Sequence, residues 1–225
     1  MRRSVAMRGA VLAAVIAFAA AGCGGGGGSG SGQPTKGGTL TLLTQSEQIL
    51  HLDPQRNYTG EDLAFANGFL HRTLTAYTLS SDSAKAGQLV PDLATDTGRS
   101  SNGGRTWAFT IRPGVKWEDG TDVTCEDVKY GVSRTFATSV ITDGPTYAIS
   151  LLDIPMAKDG SSVYKGPYVT KGNNIAAYNK AVTCEGDTII FHLKKPQGDF
   201  NYTVTLLSFA AVPKDKDNGD AYDNH

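Results

Sequence analysis

The stretch LVPDLATDTGRSSNGGRTWAFTIRPGVKWEDGTDVTCEDVKYGVSRTFA, residues 89–137, decides the fold, because strand, turn and helix patterns follow one another in it. In its middle, Trp107, Phe109 and Ile111 alternate with smaller or polar side chains. This alternation predicts a strand with one buried face. We expect Trp107, like Trp117 further on, to pack in the core and not to serve as a ligand platform.

The second half of the same stretch predicts two turns and a helix. Pro113-Gly114 and Asp119-Gly120 are turn pairs, and VKW between them is a candidate short strand. Thr124-x-x-Asp127 has the form of a helix cap, so we predict that a helix begins here. Its apolar face would carry Val128, Val132 and Phe136.

Similar patterns lie on both sides of this stretch. GGTLTLLT, residues 37–44, alternates threonine and leucine and predicts a strand, as does DTIIFHLKKP, residues 187–196. Thr59-x-x-Asp62 predicts a helix start, and residues 80–89 predict a loop. The expected buried face of that first helix is Leu63, Ala66, Leu70, Leu74 and Tyr77. Strands mixed with helices indicate an α/β or α+β body.

The N-terminal part of the chain has the composition of an export leader. Arg2, Arg3 and Arg8 precede an apolar run, roughly residues 9–21, that is too short to span a membrane. The end of this run passes through one cysteine into glycine and serine in VIAFAAAGCGGGGGSGSG, residues 15–32. The end of the run, AAGC, is similar to the lipobox of bacterial lipoproteins, with alanine where leucine is usual. We therefore predict a lipoprotein signal peptide at 1–22, lipid attachment at Cys23 and a Gly/Ser-rich tether at 23–36. Simple secretion with an incidental Cys23 is the alternative.

Charge and motif content exclude several function classes. The chain carries 21 basic and 22 acidic residues, and loss of the three leader arginines leaves 18 and 22, a net charge of −4. This balance argues against nucleic acid as a partner. No hydrolase, metalloprotease, P-loop or dinucleotide-binding motif is present, and the four histidines lack metal-ligand spacing. We predict a protein that is not an enzyme and that needs no metal and no cofactor.

The motifs of residues 89–137 resemble the family 5 extracellular solute-binding proteins, the peptide, dipeptide and nickel-type receptors of bacterial ABC importers. The resemblance rests on PDLA at 91–94, RPGVKW at 112–117 and DGTDVTCEDV at 119–128, with HLDPQ and FHLKKPQGDF as further landmarks. It implies an α/β, periplasmic-binding-protein-like fold of type II, which has two lobes. Because family members are much longer, residues 37–225 would be the N-terminal part of the solute-binding domain. They would form an incomplete first lobe with its small extra subdomain, and the second lobe would be absent.

The resemblance also implies a function. The chain would be the substrate-binding lipoprotein of an ABC importer, a monomer held by its lipid on the extracytoplasmic face of the cell membrane. It would capture oligopeptides or dipeptides and deliver them to the permease subunits. Two alternatives stay open: a receptor for a non-peptide solute such as a sugar oligomer or a metal chelate, and a surface lipoprotein without a transport role.

The same resemblance suggests where a ligand would bind. In peptide receptors of this family, the segment before the Asp-Pro pair lies along the peptide backbone, which here corresponds to Gln45, Ser46, Glu47 and Gln48. Tyr147 matches a family position that supplies an aromatic ring to the cleft. The alternatives are an ordinary surface loop for the first segment and plain packing for Tyr147.

The two cysteines other than Cys23 are Cys125 and Cys184. The resemblance implies that the strands near them pair, which would bring both cysteines together. In an oxidising compartment we predict a disulfide between them. Two separately buried thiols are the alternative.

Overall fold

The computed structural model describes residues 37–39, 41–44 and 48–222. The predicted leader, Cys23 and the tether lie outside the described residues. The chain divides into two units, one ending at Leu43 and one beginning at Thr44. Residues 37–39 and 41–44 form no strand, so the strand predicted for GGTLTLLT is wrong for these residues. Alternation suits a strand, but a strand also needs a neighbouring backbone to pair with, and no such ladder forms there.

The second unit contains both helices and strands. The helices are α1 (Gly60–Phe69), α2 (Cys125–Arg134), α3 (Tyr147–Leu151), α4 (Ile175–Ala181) and α5 (Phe200–Thr203). The strands are β1 (Thr75–Tyr77), β2 (Leu89–Pro91), β3 (Arg99–Ser101), β4 (Thr106–Thr110), β5 (Val182–Glu185) and β6 (Thr188–His192). Short 3-10 turns lie at Asn102–Gly104, Leu207–Phe209 and Lys214–Lys216. No helix in the described part of the chain is both long and apolar enough to cross a membrane.

The main sheet has four antiparallel strands in the order β3-β4-β6-β5. The predicted strands at its centre are confirmed: Trp107 and Phe109 of β4 lie opposite Phe191 and Ile189 of β6. All four side chains are buried. β1 and β2 form a separate antiparallel pair, and residues 78–88 connect them as the predicted loop.

An aromatic cluster fills the space beside the central strands. The Phe191 ring lies 5.3 Å from that of Phe200 and 6.1 Å from that of Phe109, and the Phe200 ring lies 5.6 Å from that of Phe209. All four side chains are fully buried. Burial of each contributes roughly 1.5–3 kcal/mol, so this cluster is a major source of stability.

Helix α2 packs on this core through the predicted face. Thr124 and Asp127 form a capping box, in which the Thr124 N–H donates to Asp127 Oδ2 at 2.8 Å and the Asp127 N–H donates to Thr124 Oγ1 at 3.3 Å. Gly131 lies against the backbone of Ala210, and a Cβ atom at Gly131 would collide with that carbonyl oxygen. The helix therefore approaches its neighbour more closely than a side chain would permit.

Two further sequence predictions need correction. α1 begins at Gly60 after the Thr59 cap but ends at Phe69, so the predicted helical face does not continue to Leu70, Leu74 and Tyr77, and Leu70 is exposed. Leu74 lies in an irregular segment and is buried. Tyr77 belongs to β1, because pairing with β2 outweighs the helical spacing. The VKW segment makes one isolated bridge, Lys116 to Asp122, since the hairpin closed by the Asp119-Gly120 turn is short.

The predicted disulfide between Cys125 and Cys184 is present. It joins the first residue of α2 to β5, with the Cα atoms 5.9 Å apart. β5 itself was not predicted. The glycine at Gly186, with φ of 58°, allows the tight turn between β5 and β6, and this Glu-Gly-Asp sequence was the missed signal.

Candidate functional site

The predicted ligand segment is only partly within the described structure. Gln45, Ser46 and Glu47 lie outside the described residues, and Gln48 occupies an exposed bend. Gln48 is therefore accessible to a solute. The family-derived role of the four residues stays a prediction.

Tyr147, the other predicted residue, contacts Tyr58. Their hydroxyl oxygens are 2.9 Å apart and their ring centroids 6.2 Å apart, with a tilted arrangement. The side chains remain accessible, with 37% of Tyr147 and 49% of Tyr58 exposed. The hydrogen bond to Tyr147 raises the pKa of Tyr58 above its ordinary value. We call these two residues the tyrosine pair; together they present two rings and two hydroxyl groups to solvent.

The backbone just after Gln48 is anchored to α1 and to the chain that follows it. The Leu50 N–H donates to Asp62 Oδ2 at 3.1 Å, and His71 Nε2 lies 3.3 Å from the Leu52 carbonyl oxygen. Because a carbonyl only accepts, Nε2 must carry the hydrogen in this contact. Burial lowers the pKa of His71, so the neutral ring is favoured. These contacts hold residues 50–52 in place while Gln48 stays accessible.

A buried ion cluster centred on Arg134 fixes the next residues. Arg134 donates to both carboxylate oxygens of Asp53, at 3.1 and 2.7 Å, and also to the side-chain oxygen of Gln55. Its Nε atom lies 2.9 Å from Asp217 Oδ2, and the side chains of Arg134, Asp53 and Asp217 are fully buried. Burial lowers the pKa of Arg134, but the hydrogen bonds and charge of Asp53 outweigh this and raise the pKa above its ordinary value. Arg134 is therefore a permanent cation here.

Sequence reasoning missed this cluster. Asp53 was noted only as half of an Asp-Pro landmark, and Arg134 lies beside the apolar face of α2 in the sequence GVSRTFA. A charged residue within that mostly apolar run was the available signal, because a buried arginine requires anionic partners. The identity of those partners could not be read from it.

The loop that leads to Tyr147 lies directly on the anchored segment. Arg56 donates from Nε to the Thr142 carbonyl at 3.1 Å, and its Nη2 atom is 3.8 Å from Asp143 Oδ2. At Gly144, an added Cβ atom would collide with the Gln55 carbonyl oxygen. The structure therefore brings together two stretches that are far apart in the sequence, residues 55–58 and 142–147.

A groove of about 670 Å³ includes neither Gln48 nor the tyrosine pair, although His71 and Tyr222, which contact Leu52 and Asp53, are among its lining residues. Leu70, Trp117, Pro213 and Tyr222 are among the residues that line it. In the described residues, no group of three or more His, Cys, Asp or Glu side chains could hold a metal ion. The tyrosine pair thus provides exposed rings and hydroxyl groups, which are suited to contacts with an organic solute.

Comparison with solved structures supports the fold. The chain is 35% identical to the clavulanic acid biosynthesis oligopeptide binding protein 2, with a TM-score of 0.65, and the match covers 76% of this chain and 29% of that one. The Escherichia coli murein tripeptide binding protein MppA is 25% identical, with a TM-score of 0.53, over 73% of this chain and 28% of that one. Listeria monocytogenes OppA bound to peptide has the same fold at 20% identity, with a TM-score of 0.56, over 77% of this chain and 30% of that one.

Comparison of sequences identifies one of the same relatives. A segment of 48 residues is 46% identical to the periplasmic murein peptide-binding protein MppA of Escherichia coli strain K12, which is 21% of this chain and 9% of that protein. The chain thus spans less than a third of the length of these relatives, all of which are binding proteins. The family model of bacterial extracellular solute-binding proteins, family 5 Middle, matches residues 88–225. With its α/β, periplasmic-binding-protein-like fold, the chain belongs to the family 5 extracellular solute-binding proteins.

Proposed function

We propose that this chain is part of the substrate-binding lipoprotein of an ABC importer, and that its solute is an oligopeptide or a dipeptide. The names of the relatives support this choice, since one is an oligopeptide binding protein and another a murein tripeptide binding protein. Residues 37–225 would be the N-terminal part of the solute-binding domain. The chain would act as a monomer without enzymatic activity.

The observation that carries the proposal is the exposed tyrosine pair, together with the exposed bend at Gln48 that precedes the anchored residues 50–52. A peptide offers a row of backbone donors and acceptors, and an irregular segment can pair with it as a strand would. Gln45, Ser46, Glu47 and Gln48 would make these backbone contacts. Tyr147 would then pack its ring on a side chain of the peptide, and its hydroxyl group would offer a further hydrogen bond.

The location of the protein follows from its N-terminal sequence. We propose that the signal peptide is removed before Cys23, that Cys23 is lipidated, and that the Gly/Ser-rich tether holds the folded part outside the membrane. Radioactive palmitate added to the native host should label the wild-type protein and leave the Cys23→Ala variant unlabelled. Equal labelling of the two proteins would contradict the lipid anchor.

Uptake by cells tests the solute and the permease partner together. Deletion of the gene that encodes this chain should slow the uptake of radiolabelled tri- to pentapeptides, and the wild-type gene should restore it. We expect the Tyr147→Ala variant to restore about tenfold less uptake, because the proposed contact of its ring with the peptide is lost.

The chain offers a matched control for this variant. Tyr202 is 48% exposed, and its ring lies 6.2 Å from that of Tyr77, the same spacing as in the tyrosine pair. Tyr202→Ala should restore peptide uptake fully. If deletion leaves peptide uptake unchanged and slows the uptake of a labelled sugar oligomer, the peptide assignment is wrong.

A further inference from the structure

Arg56 connects the chain that follows the predicted ligand segment to the loop that leads to Tyr147. We propose that Arg56 is a positioning residue that sets the place of Tyr147 relative to the segment beginning at Gln48. The relevance of this placement to binding rests on the proposed function above. The placement itself rests only on contacts within the described structure.

The first step is the geometry of the Arg56 side chain. Its Nε atom donates to the Thr142 carbonyl oxygen at 3.1 Å, and Nη2 lies 3.5 Å from Thr142 Oγ1. The ion pair with Asp143, at 3.8 Å, is weak because the Asp143 side chain is 75% exposed. The Arg56 side chain is only 11% exposed. Of these two contacts with the loop, the hydrogen bond to the Thr142 backbone is therefore the stronger one.

The second step is the conformation of the loop that Arg56 holds. Asp143 has a φ of 63°, which is the left-handed region and is costly for a residue with a side chain. Gly144 follows and lies so close to the Gln55 carbonyl that no Cβ atom could be added. Asp143 has a strained backbone and lies beside the close contact of Gly144 with Gln55, so its conformation needs stabilising contacts. Arg56 supplies such contacts from the adjacent segment.

The third step is that the two ends of α3 are held differently. At its C-terminal end, Lys194 Nζ donates to the Ile149 carbonyl at 2.9 Å, and the backbone of Leu152 bridges to Leu193. At its N-terminal end, Thr146 makes no side-chain cap hydrogen bond. Tyr147 is the first residue of the helix, so its position depends on the docked loop before it. The contact of Arg56 with this loop thus determines where the Tyr147 ring lies.

Hydrogen exchange can measure this role directly. The Ser150 N–H donates to the Thr146 carbonyl at 3.0 Å and reports the first turn of α3, while the Leu152 N–H donates to Ala148 and reports the anchored end. In the Arg56→Ala variant of the full chain, we expect the Ser150 amide to exchange about tenfold faster, because the loop loses a charged donor. The Leu152 amide should change by less than about twofold.

A second readout follows the tyrosine pair itself. Carbon NMR of labelled tyrosine gives the pKa of Tyr58, which the hydrogen bond to Tyr147 raises in the wild-type protein. In Arg56→Ala, this pKa should fall back towards its ordinary value because Tyr147 moves away. Arg99→Ala is the matched control, since Arg99 also contacts an aspartate and a threonine, Asp96 and Thr110, but lies on β3. It should change neither measurement.

Arg56→Lys keeps the charge but loses the Nε donor, and it decides the question if Arg56→Ala does not fold. We expect an intermediate increase in exchange at Ser150. Unchanged exchange at Ser150 and an unchanged pKa of Tyr58 in the folded variants would overturn the positioning role. If both measurements change as expected but gene deletion does not affect peptide uptake, the positioning role stands and the proposed peptide-receptor function fails.

Discussion

Removal of the Arg134 guanidinium is the sharpest test of how the segment around Asp53 is held. We consider the Arg134→Met variant, in which an unbranched apolar side chain replaces the aliphatic part of arginine and the charged guanidinium is lost. Asp53 and Asp217 then remain fully buried without the cation that both now contact. Some hydrogen bonds survive, since the Gln55 and Tyr222 N–H groups each donate to Asp53 at 2.9 Å.

The size of the effect follows from these contacts. Breaking a buried ion pair by removing one partner costs about 3–5 kcal/mol, because the other charge is left in an apolar environment. Two carboxylates are affected here, which favours the upper part of the range. The surviving backbone donors to Asp53 act in the opposite direction. We therefore expect the free energy of unfolding to fall by about 4 kcal/mol.

Urea unfolding followed by tryptophan fluorescence, without reducing agent, measures this change. The control is Arg105→Met, because Arg105 is exposed and makes its side-chain contact with the Lys194 carbonyl; its cost should stay below about 1 kcal/mol. The triple variant Arg134→Met, Asp53→Asn and Asp217→Asn removes all three charges and should be more stable than Arg134→Met alone. A loss of less than about 1 kcal/mol in Arg134→Met would refute the reasoning that unpaired buried charge sets the cost.

Three further predictions concern local features. Replacing Cys125 and Cys184 together by alanine should lower the free energy of unfolding by up to about 4 kcal/mol in urea titrations. The reason is that the unfolded chain gains entropy when the link between residues 59 positions apart is removed. An unchanged unfolding midpoint would contradict this. Thr124→Ala removes the cap of α2 and should cost about 0.5–2 kcal/mol in the same assay, whereas no change would show that the cap is dispensable. Hydrogen bonds from Thr121 lower the pKa of Asp119 to about 2 in the folded protein. The stability that this carboxylate contributes is therefore fully present above the pKa that Asp119 has in the unfolded chain, and it is lost as the pH falls towards 2. In carboxyl NMR titrations Thr121→Ala should raise that pKa, and a midpoint that does not move would assign the shift to another group.

The sequence alone was sufficient where a feature depends on neighbouring residues. The capping box of Thr124 and Asp127 is complete within four positions, and the alternation of Trp107 and Phe109 reports burial of β4 directly. The resemblance added the pairing of β4 with β6 and hence the disulfide. It also suggested Tyr147, which the structure places in the accessible tyrosine pair.

Features that depend on distant partners could not be predicted from the sequence. Tyr77 keeps helical spacing with α1, but it lies in β1 because Leu89 of β2 is opposite it. α4 also escaped prediction, although Asn174 caps it, since its seven residues are too few to show a helical period. For Tyr77, strand pairing outweighed the local helical spacing, and for α4, the local pattern was too short to recognise.

The candidate site also depends on contacts between residues that are far apart in the sequence. Asp53 contacts Arg134, Arg56 contacts Thr142 and Tyr58 contacts Tyr147, at sequence separations of 81, 86 and 89 residues. Since residue numbers increase together on both sides, residues 53–58 run alongside residues 134–147 in the same direction. Closing the first such loop costs roughly 4 kcal/mol of chain entropy, whereas each later contact then closes only a few residues more. The buried Arg134 cluster therefore lowers the entropy cost of the contacts that Arg56 and Tyr58 make, and the position of the accessible tyrosines depends in part on an ion cluster that solvent does not reach.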